Sequence, residues 1–137
     1  MRYRRLSYRY TVIQRTVWPT APSPWGGDVL SLLLGRAYWR PDADVCETPR
    51  AVEVAVDLAG VDEDDVEIQL FEDALVVEGR RQPAMCEPQT VYHAAGIRQG
   101  PFRLEVALPE PIDPSAVEAR YERGLLRITM KKREARD

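Results

Sequence analysis

Residues 119–137 read ARYERGLLRITMKKREARD, and the middle of this stretch decides the fold. Leu126, Ile128 and Met130 alternate with polar residues, which predicts a β-strand with one buried face. Just before them, Gly124 supplies a residue that adopts positive φ without a Cβ clash. The stretch therefore predicts a strand, a tight turn and a second strand that re-enters the core.

The same period of two continues through most of the upstream chain. Apolar residues share one face in Val52–Leu58, Val66–Leu70, Leu75–Val77, Phe102–Leu108 and Val117–Tyr121. Prolines at 109–114 are predicted to end the fourth run, because proline cannot donate to a β-ladder. Half-buried strands joined by short connections predict an all-β protein in which antiparallel sheets pack as a sandwich.

The chain divides into a basic arm and an acidic body. At 137 residues it is long enough for one domain with an arm. Residues 1–38 carry a net charge of +5, whereas residues 39–137 carry −8. We expect a flexible arm at 1–38, partly disordered or with a short helix in Val29–Tyr38, a β domain at 39–132 and a charged tail at 133–137.

Composition argues against a membrane protein. The longest apolar run, Val29–Leu34, is far shorter than the roughly 20 residues that cross a bilayer. The basic N-terminus has no apolar segment typical of a secretion signal. We therefore expect a cytoplasmic protein with no membrane partner.

The residues that carry catalytic chemistry are sparse. Cys46 and Cys86 lie far apart without a C-x-x-C pair, and His93 is the only histidine, without a companion nucleophile motif. The acidic run Asp62–Asp65 lacks the spaced ligands of a calcium loop and is interpreted as a solvated turn with capping carboxylates. We expect neither an enzyme nor a metal or cofactor site.

Residues 80–100 show no clear period, which is unusual for a compact domain. A short strand around Tyr92 that leaves the body and pairs with the edge of another subunit would account for this segment. The candidate dimer-loop residues are Val91, Tyr92, His93, Ile97 and Arg98.

Four motifs in order resemble the α-crystallin domain of the small heat shock proteins over about residues 39–132. The signature A-x-x-x-n-G-x-L is matched by Ala119, Gly124 and Leu126. The other matching segments are Trp39–Pro41 with Asp44–Pro49, Val56–Val61, and Gly100–Phe102 with Leu108–Pro109.

The resemblance implies an immunoglobulin-like sandwich, a homodimer formed by exchange of the 80–100 loop, and a groove that takes a partner's Ile-x-Ile tail. The implied groove residues are Val66, Ile68, Leu70, Val117, Ala119 and Tyr121. Residues 131–137 contain no Ile-x-Ile pair, so we expect the groove to be open for clients and assembly to stop at a dimer or small oligomer. Gly96 and Leu104 replace the family's usual Glu and Arg, so the dimer contacts are expected to differ.

The function implied by the resemblance is ATP-independent holdase chaperoning of partly unfolded proteins. The arm residues predicted to bind clients are Trp18, Trp25, Val29, Leu30, Leu32, Leu33, Leu34 and Tyr38. An adaptor module that binds one folded partner is the main alternative. Nucleic-acid binding by the Arg/Tyr-rich segment Arg2–Tyr10 is less favoured, because the segment is short and the body is acidic.

Overall fold

The computed structural model describes residues 10–13, 38–83 and 87–134. Within them the chain forms eight strands and one turn of 3₁₀-helix, η1 at Glu63–Asp65. The strands are β1 Tyr10–Ile13, β2 Ala43–Glu47, β3 Ala51–Asp57, β4 Val66–Phe71, β5 Ala74–Arg81, β6 Gly100–Ala107, β7 Ile112–Glu122 and β8 Leu125–Lys132.

Two four-stranded sheets make up the sandwich, with strand orders β1-β4-β5-β6 and β2-β3-β8-β7. The predicted all-β sandwich is thus confirmed. All strand pairings are antiparallel except that of β1 with β4, which is parallel. The sequence did not predict the arm strand β1.

The core lies between the inner faces of the two sheets, where the period of two places the apolar side chains. Val52, Val56, Phe102 and Leu126 are each 0% exposed. Full burial of one such side chain contributes roughly 1.5–3 kcal/mol. The buried residues of this core are Val52, Val54, Val56, Leu58, Val61, Ile68, Leu70, Leu75, Val77, Phe102, Leu104, Val106, Ile112, Ala119, Leu126, Ile128 and Met130.

Two features refine the sequence predictions, one in β7 and one at η1. β7 begins at Ile112 and contains Pro114, and its register on β8 shifts between Ile112 and Val117. This irregularity accommodates the proline, which the sequence pattern placed outside the strands. The predicted acidic cap is confirmed, since the Asp62 side chain accepts a hydrogen bond from the Asp64 backbone N–H at 3.2 Å.

The β7–β8 hairpin closes through a two-residue turn. Arg123 and Gly124 both have positive φ, at 53° and 80°. Two such residues give the type I′ geometry that matches the twist of adjacent strands, as the glycine predicted. A Cβ on Gly124 would also approach the Ala59 Cα and Cβ atoms to 3.0 Å. The turn therefore favours glycine at position 124, and it holds Arg123 in a backbone conformation that non-glycine residues rarely adopt.

Arg123→Asn is expected to raise the free energy of unfolding by up to about 1 kcal/mol, because asparagine adopts the left-handed region more readily than arginine does. Gly124→Ala is expected to lower it by about 1–2 kcal/mol, because it adds both the left-handed penalty and the contact with Ala59. Urea unfolding followed by fluorescence measures both changes. Equal midpoints for the two variants would contradict the turn assignment.

Candidate functional site

The candidate site is the pair of strands β4 and β7, where the resemblance places the groove. Ile68, Leu70 and Ala119 are buried in the main core. Val66, Val117 and Tyr121 are partly buried and pack against the same cluster. The structure thus brings all six predicted groove residues into contact with one core.

β7 is the edge strand of its sheet, whereas β4 is flanked on both sides. We call the side of β4 that faces away from β5 the β4 edge. The arm strand β1 lies along it, with Tyr10 paired to Ile68 and Val12 paired to Leu70. The expectation of an open groove is therefore wrong along β4, because the chain's own segment occupies that edge.

Tyr121 links β7 to the connection that follows β3. Its hydroxyl donates to the Leu58 carbonyl oxygen at 2.6 Å, and the Val61 carbonyl oxygen lies at 3.1 Å as a second acceptor. Burial raises the pKa of the Tyr121 hydroxyl above its ordinary value of 10.0. The protonated, donating form is therefore favoured by folding.

Tyr121→Phe is expected to lower the free energy of unfolding by about 1 kcal/mol at neutral pH, the usual net value of a hydrogen bond. Because the folded-state pKa is raised, the wild-type protein should lose this contribution as the pH rises above about 10. The variant should lack that alkaline loss. Denaturant unfolding at a series of pH values measures both effects.

Tyr92→Phe is the matched control, since it removes a hydroxyl from a side chain that is 51% exposed. It is expected to keep the wild-type alkaline profile. If the free energy of unfolding depended on pH in the same way in both variants, the Tyr121 hydrogen bond would make no measurable contribution to stability.

The predicted dimer loop is a strandless connection between β5 and β6. Within its described residues, 82–83 and 87–99, it contains no helix or strand. Val91 is 74% exposed and Ile97 is 71% exposed. Tyr92, His93 and Arg98 are exposed as well. The predicted strand around Tyr92 is therefore not formed by the single chain, and its apolar side chains face outward.

Arg81, the last residue of β5, anchors the far end of this loop. Its Nε donates to the Arg98 carbonyl oxygen at 2.9 Å, and its Nη1 donates to the Ala59 carbonyl oxygen at 3.1 Å. The guanidinium also lies 4.4 Å from the centre of the Trp39 ring, a cation–π distance. Sequence reasoning missed this role, because Arg81 belongs to no motif and its partners are distant in sequence.

Trp39 lies along β6, at the edge of the β1-β4-β5-β6 sheet that is opposite β1. Its indole N–H donates to the Gly100 carbonyl oxygen at 3.1 Å, and its ring centre lies 5.3 Å from that of Phe102. Its backbone pairs with Pro101 and Arg103. The tryptophan of the Trp39–Pro41 motif therefore covers part of the β6 edge.

β2 is an edge strand with one recorded neighbour, β3, in the part of the chain that is described. Four of its five residues are exposed, and Val45 is 48% exposed. Its outer side thus offers backbone N–H and C=O groups to an additional strand.

Most of the predicted client-binding residues lie outside the described residues: Trp18, Trp25, Val29, Leu30, Leu32, Leu33 and Leu34. Tyr38 is described and is half-buried. In the same described portion, no three His, Cys, Asp or Glu residues are placed to hold a metal ion. No described helix is long and apolar enough to cross a membrane.

The fold and the edge arrangement define a class, the α-crystallin type of β-sandwich. The family model described as Hsp20/alpha crystallin family matches residues 44–137. Because this match covers more than half of the chain, the protein belongs to the Hsp20/alpha crystallin family.

Individual relatives agree with this assignment. The chain is 31% identical over 94 residues to small heat shock protein C2 of Rickettsia felis, which covers 69% of this chain and 61% of the relative. It is 36% identical over 93 residues to spore protein SP21 of Stigmatella aurantiaca, covering 68% and 55% of the two chains. These matches span less than two thirds of either relative.

Among solved structures, a small heat-shock protein from Xylella fastidiosa, described as having a distinct high order structure, aligns with a TM-score of 0.65 at 30% identity. The alignment covers 74% of this chain and 93% of that one.

Proposed function

We propose that this protein is an ATP-independent holdase chaperone that binds partly unfolded proteins and delays their aggregation. Family membership supports the chaperone class. A holdase needs no reaction chemistry, because binding the unfolded state removes it from the aggregating pool by mass action. A cytoplasmic location belongs to the same proposal, and cell fractionation tests it.

The observation that carries the proposal is the pairing of β4 with an extended segment, Tyr10–Ile13. An edge that binds a strand does so mainly through backbone hydrogen bonds, which every sequence offers except at proline. A strand in this register runs beside Ile68 and Leu70, which are 1% and 3% exposed. Such an edge suits many partly unfolded clients, since their extended apolar segments share these features.

The arm supplies a second, less specific surface in this proposal. Its apolar residues include Leu32, Leu33 and Leu34, in a segment with a net positive charge. Apolar side chains of this kind cover the surface that an unfolding client exposes.

The substitutions Leu32→Ser, Leu33→Ser and Leu34→Ser, made together in the full chain, are expected to reduce client protection. Each loses roughly 1.5–3 kcal/mol of burial against a client, so at least about tenfold more protein should be needed for the same protection. Light scattering of a thermally aggregating client, without added nucleotide, measures this. Leu125→Ser is the control, since Leu125 is exposed on the body at 36%.

Three results separate the alternatives. Full protection by the triple variant would refute a client-binding arm. No protection by the wild-type protein, together with capture of one folded partner that survives removal of residues 1–38, would instead favour an adaptor. Arm binding to single-stranded nucleic acid that weakens steeply with salt would favour the nucleic-acid alternative.

We also propose that the loop at 82–99 joins two copies into a homodimer by pairing with the β2 edge of the other copy. Two surfaces support this: the loop exposes Val91 and Ile97, and the outer side of β2 has no recorded strand neighbour among the described residues. Pairing would bury the apolar side chains and satisfy the edge at once.

Val91→Asp together with Ile97→Asp is expected to weaken the dimer at least about tenfold, because two buried apolar contacts are replaced by charges. Size-exclusion chromatography with light scattering over a dilution series measures the shift to monomer. Leu125→Asp should leave the mass unchanged. A dimer that resists the loop substitutions would place the interface elsewhere.

A further inference from the structure

The connection from β3 to η1 contains a tight turn across Leu58–Val61, called here the 58–61 turn. The Leu58 carbonyl oxygen accepts a hydrogen bond from the Val61 backbone N–H at 3.0 Å, and Gly60 has a φ of 78°. A positive φ at the third residue is the requirement of a type II turn, which glycine meets without strain. Both ends of the turn are buried, since Leu58 is 0% exposed and Val61 is 5% exposed. The turn is therefore fixed in the body of the sandwich.

The β7–β8 hairpin holds one side of the 58–61 turn. The Leu58 backbone N–H donates to the Gly124 carbonyl oxygen at 2.8 Å. Ala59 lies so close that a Cβ on Gly124 would be 3.0 Å from its Cα and Cβ atoms. The Tyr121 hydroxyl donates to the Leu58 carbonyl oxygen, with the Val61 carbonyl oxygen as a second acceptor. These contacts fasten the turn to β7, a strand of the predicted groove.

One side chain joins the other side of the turn to the dimer loop, residues 82–99. Arg81 Nη1 donates to the Ala59 carbonyl oxygen at 3.1 Å, and Arg81 Nε donates to the Arg98 carbonyl oxygen at 2.9 Å. A guanidinium is planar, and its donors keep a fixed spacing and direction relative to one another. A shift of the Ala59 carbonyl group therefore changes the geometry that Arg81 offers to Arg98.

The bonds of Arg81 lie at the neck of the dimer loop, which we define as Arg81 together with Arg98–Gly100. Arg81 is paired directly with Gly100 in the ladder between β5 and β6, so the loop leaves and rejoins the body here. The Gly100 carbonyl oxygen accepts from the Trp39 indole N–H at 3.1 Å, and the Arg81 guanidinium lies 4.4 Å from the centre of the Trp39 ring. Arg81 and Trp39 thus hold the neck together.

We propose that the 58–61 turn sets the direction in which the dimer loop leaves the body, with Arg81 as the positioning residue on the loop side and Tyr121 as the anchor on the β7 side. Loosening either contact weakens the homodimer, so β7 and the loop are coupled sites. The inference rests on the proposed homodimer for its effect on assembly. Its effect on the neck is a property of each single chain.

Preorganisation is the physical reason for an effect on assembly. A loop with a fixed exit direction loses less conformational freedom when it pairs with the β2 edge of another copy. The side chains that this pairing would bury, Val91 and Ile97, are 74% and 71% exposed in the single chain. Without the Arg81 bonds the loop samples more directions, and only some of them reach that edge. A hydrogen bond has a modest net value, so an effect of about three- to tenfold is expected.

Substitution of Arg81 in the full chain tests the positioning role. Arg81→Met keeps a long apolar stem but removes the charge and both donors, and it should raise the dimer dissociation constant about three- to tenfold. Arg81→Lys keeps the charge without the fork of donors and should give an intermediate constant. Arg80→Met is the matched control, since it makes the same change in charge at the exposed neighbour on β5. Analytical ultracentrifugation over a dilution series measures the constants, and equal values for Arg81→Met and Arg80→Met would overturn the proposal.

Solvent exchange of the Trp39 indole N–H, followed by NMR, reports on the neck itself. It should be about threefold or more faster in Arg81→Met and in Tyr121→Phe than in the wild type. Thr129→Val is the control for loss of a hydroxyl, and it should exchange like the wild type. Amides of β3, which pairs with β2 and β8, report on the rest of the body. Equal acceleration at Trp39 and throughout β3 would indicate general destabilisation and overturn the proposal.

The double variant Arg81→Met/Tyr121→Phe tests the coupling. Its dimer dissociation constant should be about that of Arg81→Met alone, because both residues act through the same turn. A constant raised by the product of the two separate effects would overturn the coupling. A wild-type protein that stays monomeric at every concentration would refute the proposed homodimer, and exchange of the Trp39 indole N–H would then decide whether the turn positions the neck.

Discussion

Unpaired sheet edges are the constraint on which the rest of this structure depends. A two-sheet sandwich buries its apolar faces well but leaves backbone N–H and C=O groups along its outer strands. In this protein Trp39 covers part of the β6 edge, and the arm strand β1 lies on the β4 edge. The outer side of β2 has no strand neighbour within the described residues. Each edge therefore has a different status, and these differences mark where partners can bind.

The two faces of the β1-β4-β5-β6 sheet also differ. The inner face contributes Ile68, Leu75 and Leu104 to the main core. The outer face carries a small buried apolar cluster of Phe71, Ala74 and Val76, and beside it lie the charges of Glu67, Glu78 and Arg103. This sheet therefore carries buried apolar side chains on both faces. A strict alternation of polar and apolar residues would place them on one face only.

Close packing restricts several positions that sequence patterns describe only loosely. A Cβ on Gly79 would lie 2.1 Å from the Asp65 carbonyl oxygen and 2.6 Å from the Phe102 ring. This glycine lets η1 and β6 approach β5, which positions the acidic start of β4. Arg81, two residues later, ties the loop to Ala59 and Trp39. Such roles depend on neighbours that are far apart in the chain.

The sequence by itself determined the sandwich, the positions of β3 to β8 and the Arg123–Gly124 turn, because period-two burial and positive φ are local properties. The six groove residues came from the family resemblance; all six contact the main core, and their role as a groove stays a prediction. The tertiary structure alone decided that Tyr10–Ile13 pairs with β4, that Arg81 holds the loop and that Pro114 lies within β7. Four residues in a basic arm carry too little periodicity to specify a partner strand, because the register is set by contacts with residues about 58 positions away.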